Sequence, residues 1–249
     1  MSLFIGLITN ESVYIGADAR GIGEIPYLGK RKYDFIQKLG SFSNKGNLWA
    51  AHVGLGEAAC RVFYEIESKY NIQTIDDLLN IEVELFKKCH EEILRSYNTT
   101  YRGFEDLQNC LTILFGGIGN DNKPKMCLVD SANDYKKQWF NKPGDFVVNR
   151  IDNGEEIDKY LSENISRLSN QILQNDDFSF VLTEFKKLFS YASKHDIGIS
   201  PLMYFTKIYS NGYEYKEFYF LRRFIDKIRY NFDTLLYFKI LKLDKKEII

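Results

Sequence analysis

Proline is scarce in this chain, with four in 249 residues, so long extended or disordered stretches are not expected. Cysteine is equally scarce. Cys60, Cys89, Cys110 and Cys127 include no CxxC pair, which argues against a zinc site or a redox dithiol. His52, His90 and His195 do not stand at metal-ligand spacing, so no metal centre is expected. Cys89 and His90 are helix neighbours that point to different faces and cannot form a dyad. No cofactor motif stands out either. Gly116-Gly117-Ile118-Gly119 lies between strand-like runs rather than before a helix, which argues against a phosphate cradle. Charge of one sign is also missing. Lys plus Arg number 33 and Asp plus Glu 34, so the net charge of −1 offers no general field for nucleic acid or an anionic membrane. No apolar run reaches the roughly 18 residues of a membrane span. The opening MSLFIGLITNES has no basic segment and meets Thr9-Asn10-Glu11-Ser12 too early for a signal peptide. These absences lead us to expect a cytoplasmic protein with reduced, mostly buried cysteines.

What is present is an ordinary globular composition, 45% apolar and 27% charged, enriched in Phe and Tyr. The length suffices for a substantial core. There is no internal repeat and no low-complexity linker. We therefore expect a single domain over 1–249, with a basic, aromatic C-terminal extension at about 216–249.

Along the chain, Leu3 to Thr9 and Ser12 to Ala17 read as a hairpin around Asn10-Glu11. A polar loop is expected at 19–34, with Lys30-Arg31-Lys32 solvated. Two further strands come next, Phe35 to Ser43 and Asn47 to Val53. Apolar spacing predicts helices over 56–70 and 75–97. Cys110 to Phe115 and Lys125 to Val129 are the next strands, then helices at 154–174 and 177–195. A last strand pair, 202–209 and 213–219, turns at Ser210-Asn211-Gly212. Strands grouped between helix pairs imply layered sheets flanked by helices, not a doubly wound parallel sheet.

The candidate chemistry starts at Ser2. Removal of Met1 would leave a serine carrying a free α-amine. The reference pKa of that amine, about 7.7–8.0, suits a base at neutral pH. It sits on the same residue as the hydroxyl and can activate it directly or through one water. Met-Ser alone is common, so the case rests on residues elsewhere in the chain. In SLFIGLITNESVYIGADAR, a Gly stands at 6, and Ala17-Asp18 and Arg20 end the second strand. Gln37-Lys38-Leu39 begins the next strand. His52-Val53-Gly54-Leu55-Gly56-Glu57-Ala58-Ala59 runs from strand to helix, and Lys194-His195-Asp196-Ile197-Gly198-Ile199-Ser200 precedes the last hairpin.

Taken together, these elements resemble the proteasome-like N-terminal-nucleophile (Ntn) hydrolases: proteasome β subunits, their bacterial relatives and the small Anbu-type proteins. The resemblance spans roughly residues 2–215. It implies an α+β fold, a four-layer αββα sandwich with two mostly antiparallel sheets between helix layers. It implies that Ser2 is the nucleophile, Lys38 the cation that stabilises its deprotonated form, and Asp18 and Arg20 the residues that hold that lysine and the loop. Gly56 matches the glycine whose N–H binds the oxyanion, and Asp196 matches the supporting aspartate. The activity implied is hydrolysis of a peptide or small amide without a cofactor. The implied assembly is a homo-oligomer, ring or partial ring, served by an ATP-dependent unfoldase. The sequence departs from the family pattern at two places. Ile199 stands where a serine is expected, with Ser200 one residue late, and Asn153 replaces a hydroxyl. These departures favour a second reading, a non-catalytic scaffold or interaction subunit of the same fold.

Overall fold

A computed structural model of the chain describes residues 2–25, 29–33, 36–42, 47–100, 110–150, 154–173, 176–196, 198–217 and 228. Side chains of 22–33 and 97–100 lie outside that description, as does nearly all of the expected C-terminal extension.

Two five-stranded antiparallel sheets form the middle of the molecule. One has the order β10-β1-β2-β11-β12 and the other β5-β6-β7-β8-β9. In the first, β1 (Leu3–Ile8) pairs with β2 (Ser12–Asp18) as the expected hairpin. Both strands are buried along their whole length. The alternating side chains of β1 divide between two cores. Leu3, Ile5 and Leu7 pack under the helices α3 (Glu155–Ile172) and α4 (Phe178–His195). Phe4 and Ile8 pack against the second sheet. A strand covered on both faces reads as a continuous apolar run, which is why LFIGLI shows no alternation.

In the second sheet, β7 (Leu111–Ile118) is central and pairs with β6 (Leu48–Gly54) on one side. Their outer face packs under α1 (Gly56–Lys69) and α2 (Val83–Thr100). The layer order is therefore α, β, β, α. Ile157, Leu161, Ile165, Leu168 and Ile172 recur every three or four residues along α3 and form its buried stripe. Asp177 caps α4 by accepting the Phe180 N–H at 2.6 Å.

Several elements differ from expectation. The loop expected at 19–34 contains a hairpin, β3 (Gly21–Ile25) paired with β4 (Gly29–Tyr33), so Lys30-Arg31-Lys32 belong to a strand. The helix expected over 75–97 is interrupted. A 3-10 turn, Ile75–Asn80, closes with a reciprocal Thr74–Asp77 capping box, and Ile81 turns extended and inward before α2 begins. β7 runs on through Gly116 and Gly117, past its expected end at Phe115. A β-carbon at Gly116 would lie 2.6 Å from Ile15 Cδ1, and one at Gly117 would lie 2.7 Å from the Asn47 carbonyl. These glycines allow close packing and are not turn residues. Two strands are additional to those expected, β9 (Lys137–Phe140) and β10 (Phe146–Arg150). The remaining strands, β5 (Leu39–Ser41), β8 (Pro124–Asp130), β11 (Met203–Tyr209) and β12 (Gly212–Glu217), fall within or close to the expected runs.

Candidate active site

Ser2 leads into β1, Asp18 ends β2, and Lys38 directly precedes β5. Antiparallel pairing of Phe4 with Ala17 sets Ser2 and Asp18 at one end of the hairpin. Lys38 arrives from the other sheet. Its Nζ donates to Ser2 Oγ at 2.8 Å and to Asp18 Oδ1 at 2.9 Å. All three residues are buried, Asp18 completely.

Two opposite charges in such a place are stable only if their remaining polar atoms are also satisfied. The Asp18 carboxylate meets that condition. Oδ1 also accepts the Leu3 N–H at 2.9 Å, and Oδ2 accepts the N–H groups of Arg20 at 3.0 Å and Ser200 at 3.3 Å. Arg20 thus supports Asp18 through its backbone. Ser200, one residue late in the motif, reaches the same carboxylate, and its hydroxyl accepts the Leu202 N–H at 3.0 Å. Ile199, at the expected serine position, is fully buried in the core under α3 and α4.

Asp196 lies apart from this trio. It caps the C-terminus of α4, Oδ2 accepts Arg150 Nη1 at 2.8 Å, and Oδ1 accepts the Gly198 N–H at 2.7 Å. Arg150 ends β10 opposite Leu3 and also bridges to Asp158 of α3 at 3.0 Å. No hydrogen bond joins Asp196 to Ser2, Asp18 or Lys38 among the described residues. Sequence reasoning missed Arg150. The only signal for it would have been β10, a strand that the local pattern does not mark.

The turn from β6 into α1 holds two glycines with different tasks. Gly54 has φ +96°, a backbone that L side chains rarely adopt. Gly56 is the first residue of α1. Its N–H is one of the helix's first four, which lack intrahelical partners and carry the positive end of the macrodipole.

His52 is the second residue that sequence reasoning missed. Its N–H donates to the Lys38 carbonyl at 3.1 Å, so β5–β6 pairing fixes it beside the lysine. The imidazole is buried and packs edge-on against Phe63 of α1, with ring centroids 6.2 Å apart. Burial, helped by the Lys38 charge, lowers its pKa to about 3. The ring is therefore neutral near pH 7.

The other candidates lead elsewhere. His90 Nδ1 is 2.5 Å from the Tyr135 hydroxyl. Cys89 and Cys127 are buried, whereas Cys60 is exposed, against expectation. Burial pushes the Cys127 thiol up to about 12. Among the described residues no group of three or more His, Cys, Asp or Glu is placed to hold a metal ion. No described helix is long and apolar enough to cross a membrane.

No protein-family model matches the chain, and no curated protein is significantly similar in sequence. Solved structures are similar in shape. The Anbu complex of Pseudomonas aeruginosa, a helical assembly, superposes with a TM-score of 0.64 at 12% identity, covering 96% of each chain. An Anbu mutant from Hyphomicrobium sp. strain MC1 gives 0.60 at 11% identity, over 98% of this chain and 100% of that one. Anbu from Yersinia bercovieri, described as an ancestral β-subunit, gives 0.58 at 9% identity, over 95% and 96%. With its two antiparallel sheets between helix layers, this chain has the proteasome-like Ntn-hydrolase fold.

Proposed function

We propose that the chain is an Ntn hydrolase that cleaves amide bonds, with Ser2 as nucleophile once Met1 has been removed. The observation that carries this reading is the buried contact of Lys38 Nζ with both Ser2 Oγ and Asp18 Oδ1. A cation 2.8 Å from a hydroxyl oxygen stabilises its deprotonated form. Asp18 keeps the lysine charged and oriented, so the lysine is not the base. That task falls to the Ser2 α-amine, which takes the hydroxyl proton as Oγ attacks the substrate carbonyl. The Gly56 N–H, at a helix start, stabilises the oxyanion. The C–N bond breaks, the amine returns its proton to the leaving nitrogen, and water hydrolyses the Ser2 ester. Substrates in this reading are peptides or small amides. The working form is a homo-oligomer, as the helical assembly of the Pseudomonas neighbour suggests, and an ATP-dependent unfoldase supplies protein substrates.

The test is turnover of fluorogenic peptide amides by the wild type and by Ser2→Ala. The reading requires that Ser2→Ala lose all measurable turnover; activity retained in that variant would exclude it.

One observation favours the alternative, a non-catalytic scaffold of this fold. Both oxygens of Asp196, the residue expected to support the amine, are engaged by Arg150 and Gly198. A wild type inert toward every amide, yet assembled, would favour that alternative.

A further inference from the structure

Beside Lys38, this chain has a polar side chain that the proposed chemistry does not use. The ring nitrogens of His52 hydrogen-bond to no described residue, although only 5% of the residue's surface is exposed. They are not sealed from solvent. Nε2 lies 3.4 Å from the point where a β-carbon on Gly56 would stand. Gly56 presents no side chain toward that atom. The flank toward α1 is apolar, closed by Phe63.

Solvent reaches these nitrogens, so a side chain that displaces it must replace its hydrogen bonds or leave a buried polar group unpaired. We propose that His52 determines specificity: with Gly56 and Phe63 it forms the pocket for the substrate side chain next to the scissile carbonyl, and it selects an uncharged hydrogen-bonding group such as a carboxamide or hydroxyl. This inference rests on the hydrolase reading.

The chemistry narrows the class. The ring is neutral, so it offers one N–H donor and one nitrogen acceptor, which a carboxamide can match. A cationic side chain would meet the Lys38 ammonium without an available carboxylate, because Asp18 is already saturated. A purely apolar side chain would fill the space but leave the imidazole unpaired. A site built to hydrogen-bond discriminates strongly against the analogue that cannot, because its own polar group is then stranded.

The experiment compares N-acylated tripeptide coumarylamides that differ only in the residue before the scissile bond: glutamine, norleucine or lysine. The wild type should favour glutamine over norleucine by tenfold or more in kcat/KM, with lysine poorest. His52→Leu should bring the glutamine-to-norleucine ratio to one or below, with an absolute gain on norleucine that a misfolded variant could not produce. His52→Asn, which keeps a donor and an acceptor, should retain part of the glutamine preference. A wild type that favours norleucine, or an unchanged ratio in His52→Leu, overturns the inference. Labelling of the wild type by a β-lactone separates the two levels. If Ser2 is labelled but no glutamine substrate is cleaved, the specificity claim fails and the hydrolase reading stands. If neither labelling nor cleavage occurs, the hydrolase reading fails and this inference with it.

Discussion

Asp18 shows how a charge pair survives inside this fold. Four donors converge on its carboxylate: the Lys38 ammonium and the N–H groups of Leu3, Arg20 and Ser200. Removing the carboxylate strands a buried ammonium. Asp18→Ala should destabilise the protein by about 3–5 kcal/mol, read as a lower denaturant midpoint; a change under about 1 kcal/mol would mean that the pair is not closed as described. Backbone conformation makes a separate prediction at Gly54. Its φ of +96° disfavours any β-carbon, so Gly54→Ala should cost more than about 1 kcal/mol in the same assay. Ser2, Asp18 and Lys38 were legible in the sequence through the resemblance of their order and spacing to a family motif; local patterning marked only the strand ends on which they sit. His52 and Arg150 were not legible. Their positions depend on β6 pairing beside Lys38 and on β10 pairing with β1, contacts between residues far apart in sequence.

At the scale of elements, a polar knot ties the β1–β2 turn, β11 and the start of α4 together. Asp176 accepts from the Tyr14 hydroxyl, from Thr9 Oγ1 at 2.8 Å and from Lys207 Nζ at 3.1 Å. Burial alone would raise the Asp176 pKa, but these partners outweigh it and the net shift is downward. Burial and the Asp176 carboxylate push the Tyr14 hydroxyl far above its usual range. A carboxylate whose folded pKa is depressed contributes stability that is fully present above its unfolded value, about 3.9. That stability is lost as pH falls through the folded value. Acid unfolding below about pH 4 should therefore be shallower in Asp176→Asn than in the wild type; identical acid profiles would contradict this account. The layers make a prediction of their own. A β-carbon on Gly16 would stand 2.8 Å from Phe185 Cδ1, between the first sheet and α4. Gly16→Ala should cost about 1–3 kcal/mol in thermal or chemical unfolding. The β1–β2, β5–β6 and β11–β12 hairpins and the helices α1, α3 and α4 could be read from turn residues and periodicity, whereas the β3–β4 hairpin could not. The break between the 3-10 turn and α2 could not, because Ile81 turns inward to a core formed by distant strands.

Across the whole molecule, the sandwich brings together two sheets that each contribute one part of the candidate site. The first holds Ser2 and Asp18, and the second brings Lys38, His52 and the β6–α1 turn. Neither sheet carries the constellation alone, so the chemistry should fail whenever inter-sheet packing does. The layering was legible from the grouping of strands and helices, while the depth of inter-sheet contact was concealed in glycines that looked like turns. If the homo-oligomer is the working form, sedimentation should give a particle well above the 29.2 kDa of one chain, and a monomer at micromolar concentration would speak against it. The central claim is that Ser2 is an N-terminal nucleophile. Its most direct test is the intact mass of the protein from its native host, before and after treatment with a β-lactone. The account predicts the loss of one methionine, then the gain of one lactone on Ser2 that Ser2→Ala does not show. A mature chain that keeps Met1, or a Ser2 that stays unmodified, would contradict it.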